Sequence, residues 1–231
     1  MELLQNDVIN LNQSEIDKIR PPKEAYLFIP SKEDIVTYDA INPIKTLRWI
    51  FEGGIEYLEF EIIKLKELEE SIQSYNEKNP QKKLIYPEGW TIDQTLRFLQ
   101  GCNYDFKKVI LDLIRHFEYR CANYPPRISD KVIEILNLGW CYTHGRDHNY
   151  RPIIVLKTAI YKKNMDKYSF DLWMQTLVFF MEYLINSLLI PGQVETWNII
   201  NDLGDCSLFT IPSDFRKLIV VLQDNYRCRL Y

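Results

Sequence analysis

The sequence predicts an α/β fold in which a helical N-terminal part precedes a small, mainly parallel sheet flanked by helices. Three stretches predict it. Ser169–Leu208 reads as an apolar helix feeding a buried strand, and Tyr150–Lys157 contains the unbroken apolar run Ile153-Ile154-Val155-Leu156. Between Thr91 and Arg120 two amphipathic patterns follow one another with a turn between them. An apolar helix joining two buried strands is the repeating unit of a layered α/β core.

Taken in order, Met1–Asn42 shows no sustained period and holds Pro21, Pro22 and Pro30, so an irregular or weakly helical arm is expected. From Pro43 the pattern is helical. Leu47, Ile50 and Phe51 form a short face; after Gly53-Gly54, Ile55, Leu58, Ile62, Leu65 and Ile72 continue it, with Glu and Lys between. The stripe covers under three heptads, so packing within its own fold is favoured over a coiled-coil seam. Asn79-Pro80 and Pro87-x-Gly89 mark a break, and a domain boundary is expected near Glu88. Thr91 with Gln94 forms a capping box ahead of Leu96, Phe98 and Leu99, and Gly101 and Asn103 end that helix. Asp105 caps the next, with Val109, Ile110, Leu113, Ile114 and Phe117 on one side. Pro152 opens a strand where a missing N–H costs least. Ser169 caps the apolar helix, Pro191-Gly192 stops it, and Thr196–Ile200 is a strand ending at Asn201-Asp202. A last helix is expected with Pro212 in its first turn and Phe215, Leu218, Ile219 and Leu222 facing the sheet.

Composition narrows the function. The chain has 231 residues, 46% apolar, and a formal charge of -4. That is enough for a sizeable core, and the charge gives no electrostatic ground for a nucleic-acid partner. Five dispersed cysteines, Cys102, Cys121, Cys141, Cys206 and Cys228, read as reduced thiols of a cytoplasmic protein. No secretory signal follows Met1. Leu172–Ile190 would just cross a bilayer at about 28 Å as a helix, but Gln175, Glu182 and Asn186 argue against a membrane span.

Three ordered blocks carry a family resemblance. Leu96-Arg97-Phe98-Leu99, Asn103-Tyr104-Asp105-Phe106 and Glu118-Tyr119-Arg120 form the first; Gly145–Pro152 is the second. Asp202-Leu203 with Leu218–Tyr226 makes the third. From Trp90 to Tyr231 the chain resembles CRAL-TRIO (Sec14-like) lipid-binding domains. Residues 1–88, an N-terminal arm and helical extension, have no counterpart in that family, and the resemblance implies 89–231 as a CRAL-TRIO-like domain. In the latter, 91–136 would be N-terminal helices and 137–231 a partial lipid-binding α/β part. The family continues beyond the position of Tyr231 with another core strand, a gate helix and more sheet, so an incomplete domain is the expectation. What is implied is non-enzymatic binding, with possible transfer, of a hydrophobic ligand and peripheral contact with membranes. The alternative is a degenerate scaffold that self-associates or recruits a protein partner.

The ligand-binding residues expected on that reading are Ile154, Leu156, Phe179, Met181, Tyr183, Trp197 and Ile199, lying between the apolar helix and the sheet. In phosphatidylcholine-binding relatives the positions of Ile154, Trp197 and Ile199 carry hydroxyls, which are absent here. In phosphoinositide-binding relatives a basic pair and an acid stand where Cys102, Asn103 and Cys228 stand here. A phosphorylated inositol would lose charge-assisted bonds worth about 1.5–3 kcal/mol each, which favours an apolar or unusual ligand.

Other candidate chemistry is thin. Cys141-x2-His144-x3-His148 with Asp147 has zinc-like spacing but no visible fourth ligand, so a solvated turn is expected. His116 is expected on the polar face of its helix. There is no G-x-S-x-G, no Walker A loop and no G-x-G-x-x-G. No catalytic residue, metal or cofactor is expected.

Overall fold

The computed structural model describes residues 20–204 and 212–231. Met1–Ile19 of the expected irregular arm and residues 205–211, which include Asp205, Cys206 and the end of the stretch Ser169–Leu208, lie outside the described residues.

The arm that is described holds two short helices, α1 (Lys23–Tyr26) and α2 (Lys32–Ile35), and a two-stranded antiparallel ribbon, β1 (Val36–Thr37) with β2 (Leu47–Arg48). Helix α3 follows at Glu59–Lys78, then α4 at Ile92–Gly101 and α5 at Phe106–Asn123. Thr91 and Gln94 complete the expected capping box of α4, and Asp105 accepts the Lys108 amide at the start of α5. Asn103 and Tyr104 turn the chain between them at positive φ. These helices enclose one core of Phe51, Leu68, Ile72, Leu84, Leu96, Leu99, Val109 and Leu113. Residues on both sides of Glu88 therefore share that core.

Helix α3 is rotated from its expected orientation. Glu61, Leu68 and Ile72 face inward, while Ile62 is 56% exposed. The reason is an ion pair: Arg48 Nη2 lies 2.6 Å from Glu61 Oε2, with both side chains 1% exposed. Glu61 also accepts the Leu58 amide, capping the helix, and Arg48 donates to the carbonyls of Ile50 and Glu56. With every strong donor and acceptor partnered, the carboxylate can sit where an apolar side chain was expected.

The second core belongs to the α/β part. After α6 (Asp130–Asn137), strands β3 (Cys141–Arg146) and β4 (Pro152–Lys157) form an antiparallel hairpin. Asp147 shapes its turn by accepting the amides of Asn149 and Arg151, each at 2.9 Å. Helix α7 (Thr158–Asn164) leads to α8 (Phe170–Tyr183), which ends in a π-turn at Leu184–Leu188, and then to β5 (Asn198–Asp202). Strand β5 pairs parallel with β4, Ile154 opposite Ile199, so the sheet order is β3-β4-β5 with one antiparallel and one parallel pair. Helix α9 (Ser213–Asn225) begins one residue after Pro212 and buries Phe215, Leu218 and Leu222. The final residues return to the sheet: Trp197 N–H donates to Arg229 and Tyr231 N–H donates to Trp197.

The two cores meet at a backbone-to-backbone contact. Gly53 and Gly192 both have positive φ, and a Cβ added at Gly53 would lie 2.5 Å from Gly192 Cα. Only glycine serves here. Beside it Glu195, 1% exposed, accepts the amides of Phe51 (2.9 Å), Glu52 (2.9 Å) and Gly192 (2.8 Å) and pairs with Arg97. Arg97 also stacks over Phe51, 4.1 Å from the ring centre.

Candidate functional site

The seven residues expected to line a ligand cavity fall into two groups. Ile154, Leu156, Met181 and Trp197 are at most 2% exposed and are packed with Trp173 and Leu177 in the α/β core. Tyr183 and Ile199 are partly buried against the same core. Phe179 is partly buried on α8. None of the seven lines the cleft described next or the grooves along α3. Trp197 and Met181 are buried in the core that α8 shares with the sheet. Apolar periodicity correctly places these side chains toward one interface but carries no information on whether that interface is hollow.

The concave site lies elsewhere, between the two cores. A cleft of about 470 Å³ runs from Trp90 and Phe98 of the helical part to Ile185, Asn186 and Tyr226 of the α/β part. Its size falls in the range of about 300–1,000 Å³ that suits small-molecule ligands. One wall is aromatic: Trp90 packs edge-on against Phe117 at 4.8 Å, and Phe98 lies 5.0 Å from His116, ring centre to ring centre. The other features are cationic. Arg97, Arg120, Arg227 and Arg229 line the cleft, with Glu88 and Glu182 as its acids.

The four arginines and Glu182 are each held by a specific partner. Arg120 Nη1 lies 2.5 Å from Glu182 Oε1, and its guanidinium stacks 3.9 Å from the ring centre of Tyr124. Glu182, on the apolar helix, is the residue that argued against a membrane span; its second partner is the Tyr226 hydroxyl at 3.1 Å. Burial drives the Tyr226 phenol far above its usual range, so it remains a donor. Arg227 pairs with Asp112, and Arg229 lies 3.3 Å from Glu52. Arg97 donates to the Cys228 carbonyl, but its buried Nε has no partner.

His116 departs from expectation. It is 8% exposed rather than solvent-facing, and Nδ1 lies 3.0 Å from Asn225 Oδ1. Burial, reinforced by the nearby Arg120 and Arg227 charges, lowers its pKa to about 4 although the Asn225 bond opposes this. The imidazole is thus neutral at pH 7. Because the folded pKa lies below the unfolded value of about 6.5, stability is complete above that value and falls as pH drops toward 4, by up to about 3 kcal/mol. Denaturant midpoints measured from pH 7 to pH 4 should show this loss, and His116→Gln should flatten the part of the slope that His116 supplies.

The zinc-like spacing is not used as a cluster. Cys141 points into the α/β core, where burial pushes its thiol strongly up, while Asp147 is engaged by Arg151 and by Asn198 at 3.0 Å. Among the described residues no group of three or more His, Cys, Asp or Glu is placed to hold a metal ion. Cys102 and Cys228, at positions where the resemblance would put charged residues, are both near Arg227 or Gln100: Arg227 donates to Cys102 Sγ at 3.4 Å and Gln100 to Cys228 Sγ at 3.3 Å.

With this geometry in place, the comparisons with known proteins are specific. A family model described as the CRAL/TRIO domain matches residues 136–231. The match supports a CRAL/TRIO domain in this part of the chain. Among solved structures the chain is similar to the crystal structure of Sfh5, with a TM-score of 0.53 and 14% identity over 77% of this chain and 70% of that one. At that identity the likeness is one of fold. No curated protein matches the chain. No helix among the described residues is long and apolar enough to cross a membrane.

Proposed function

We propose that this chain is a non-enzymatic, cytoplasmic binder of a hydrophobic, lipid-like ligand, and that the cleft between its two cores receives the ligand's polar end. The CRAL/TRIO match of residues 136–231 is the observation that carries this reading. The cleft supports it chemically. An aromatic wall takes apolar surface, while Arg97 and Arg120 offer guanidinium groups to a polar head. Binding would be an equilibrium between bilayer and protein, with acyl or isoprenoid carbon exchanging one apolar environment for another, so no catalytic group is required.

Native mass spectrometry of the folded protein after exposure to a lipid extract tests this. A lipid adduct is expected. Asn186→Trp, which plugs the cleft from a solvent-exposed position, should remove the adduct without lowering the melting temperature. A folded protein that acquires no adduct from any extract would overturn the reading.

A second reading is supported by the burial of Trp197, Met181, Ile154 and Leu156 in the core beneath α8. On it the CRAL/TRIO domain is a scaffold, and the solvent face of α3, where Ile62, Ile63 and Glu70 are exposed, recruits a protein partner. Deleting residues 1–88 would not test it cleanly, because Leu68, Ile72 and Leu84 belong to a shared core. Ile62→Asp with Ile63→Asp leaves that core intact and should abolish partner capture on this reading alone.

A further inference from the structure

The ribbon loop between β1 and β2 has an unusual surface. Ile41 is 97% exposed, and Tyr38 (58%), Ile44 (46%) and Leu47 (42%) flank it. Solvent-exposed apolar side chains are ordinary when scattered, but four within ten residues on one projecting loop are not.

The loop is held in shape rather than left slack. Asp39 Oδ1 accepts the amides of Ile41 (2.9 Å) and Asn42 (2.8 Å), and the Asp39 amide donates to Thr46 Oγ1 at 3.0 Å. A 3₁₀ turn at Pro43–Lys45 closes the far side. Its base is fixed to the helical core. Gln100 makes two bonds to the Arg48 backbone, at 2.7 and 3.0 Å, and the Arg48 side chain is buried on Glu61. Trp49 packs at a tilt against Tyr231, ring centres 4.7 Å apart, and donates to Thr37 Oγ1, tying the ribbon to the end of the chain. The fold thus presents Ile41 in a preorganised loop, with little conformational entropy left to lose on insertion.

We infer that this loop docks the protein on a lipid bilayer surface. Charge points to that occupant. Between Thr37 and Leu47 the residues charged at pH 7 are Asp39, whose Oδ1 is turned onto the loop's own amides, and Lys45, which is exposed. The chain carries a formal charge of -4, yet this tip offers a cation beside aliphatic side chains. Isoleucines can enter the acyl boundary, a tyrosine ring sits well at headgroup depth, and a lysine reaches back to phosphate. A tip of four side chains is also too small for a stable protein interface, which buries about 800 Å² on each partner.

Vesicle sedimentation of the full chain tests the docking independently of what the cleft holds. Wild-type protein should pellet with phosphatidylcholine vesicles, and more with vesicles that also contain phosphatidylserine. Ile41→Asp should lower the bound fraction by about tenfold or more, since it replaces the burial of one isoleucine with the cost of burying a charge. Lys45→Glu should remove only the phosphatidylserine increment. Melting temperatures of both variants should match wild type, because the substituted side chains are exposed. Equal pelleting of wild type and Ile41→Asp, or no pelleting of wild type, would overturn the inference. So would a wild-type dimer, seen by sedimentation velocity, that Ile41→Asp dissolves, since the tip would then be a contact between copies. Lipid adducts formed from dispersed lipid report on the cleft alone, so failure of docking and failure of ligand binding give different results.

Discussion

Glu195→Ala is expected to lower stability by about 3–5 kcal/mol, the usual cost of removing one partner of a buried ion pair. The substitution does more than delete a charge. Arg97, 4% exposed, keeps its guanidinium between Phe51 and the Cys228 carbonyl, with Glu52 at 3.6 Å as the remaining acid. Three amides, of Phe51, Glu52 and Gly192, lose their acceptor at the same time. Since a domain of this size has about 5–15 kcal/mol in total, much of the margin goes with one side chain. Urea unfolding followed by tryptophan fluorescence measures it. Combining Glu195→Ala with Arg97→Met should recover part of the loss, because the stranded cation is then gone; a double variant no better than the single one would show that the amides, rather than the ion pair, dominate.

Trp197→Ala is expected to cost about 3–5 kcal/mol, the range for removing a large aromatic from a packed core. Lipid adducts should form to the same extent in whatever fraction stays folded. The two results together separate a core residue from a cavity wall. Trp197 is 2% exposed and packs with Met181 and Trp173 under α8, and its backbone joins β5 to the last residues through the bonds to Arg229 and Tyr231. Were the side chain the wall of a ligand chamber, truncation would enlarge an existing space and change ligand retention more than stability. A mild effect on unfolding with a large effect on lipid retention would return the ligand to the space between α8 and the sheet.

Features set by local chemistry were legible in the sequence. The Thr91–Gln94 box, the Asp105 and Ser169 caps, the Pro152 strand and the Thr196–Ile200 region each depend on residues within a turn or two, and each has its element within a few residues of expectation. What depended on distant partners was not. Glu61 reads as solvent-facing because nothing near it announces Arg48, so the apolar spacing runs through Ile62 instead. His116 reads as polar for the same reason, since Trp90, Phe98 and Asn225 approach it from three separate elements. The cleft draws on five stretches, around Trp90, Phe98, His116, Ile185 and Tyr226, and carries no contiguous motif. Its one available signal was Glu182, a buried acid in a largely apolar helix that needed a cationic partner.

The Glu195 junction also bears on how this chain can be divided. A polypeptide cut at residue 136, where the family match begins, would retain Glu195 and the Gly192 amide but discard Arg97 and the amides of Phe51 and Glu52. The severed piece would face water with an orphaned carboxylate and a bare glycine ledge. Recombinant work on the matched region should therefore retain everything from Arg48 onward.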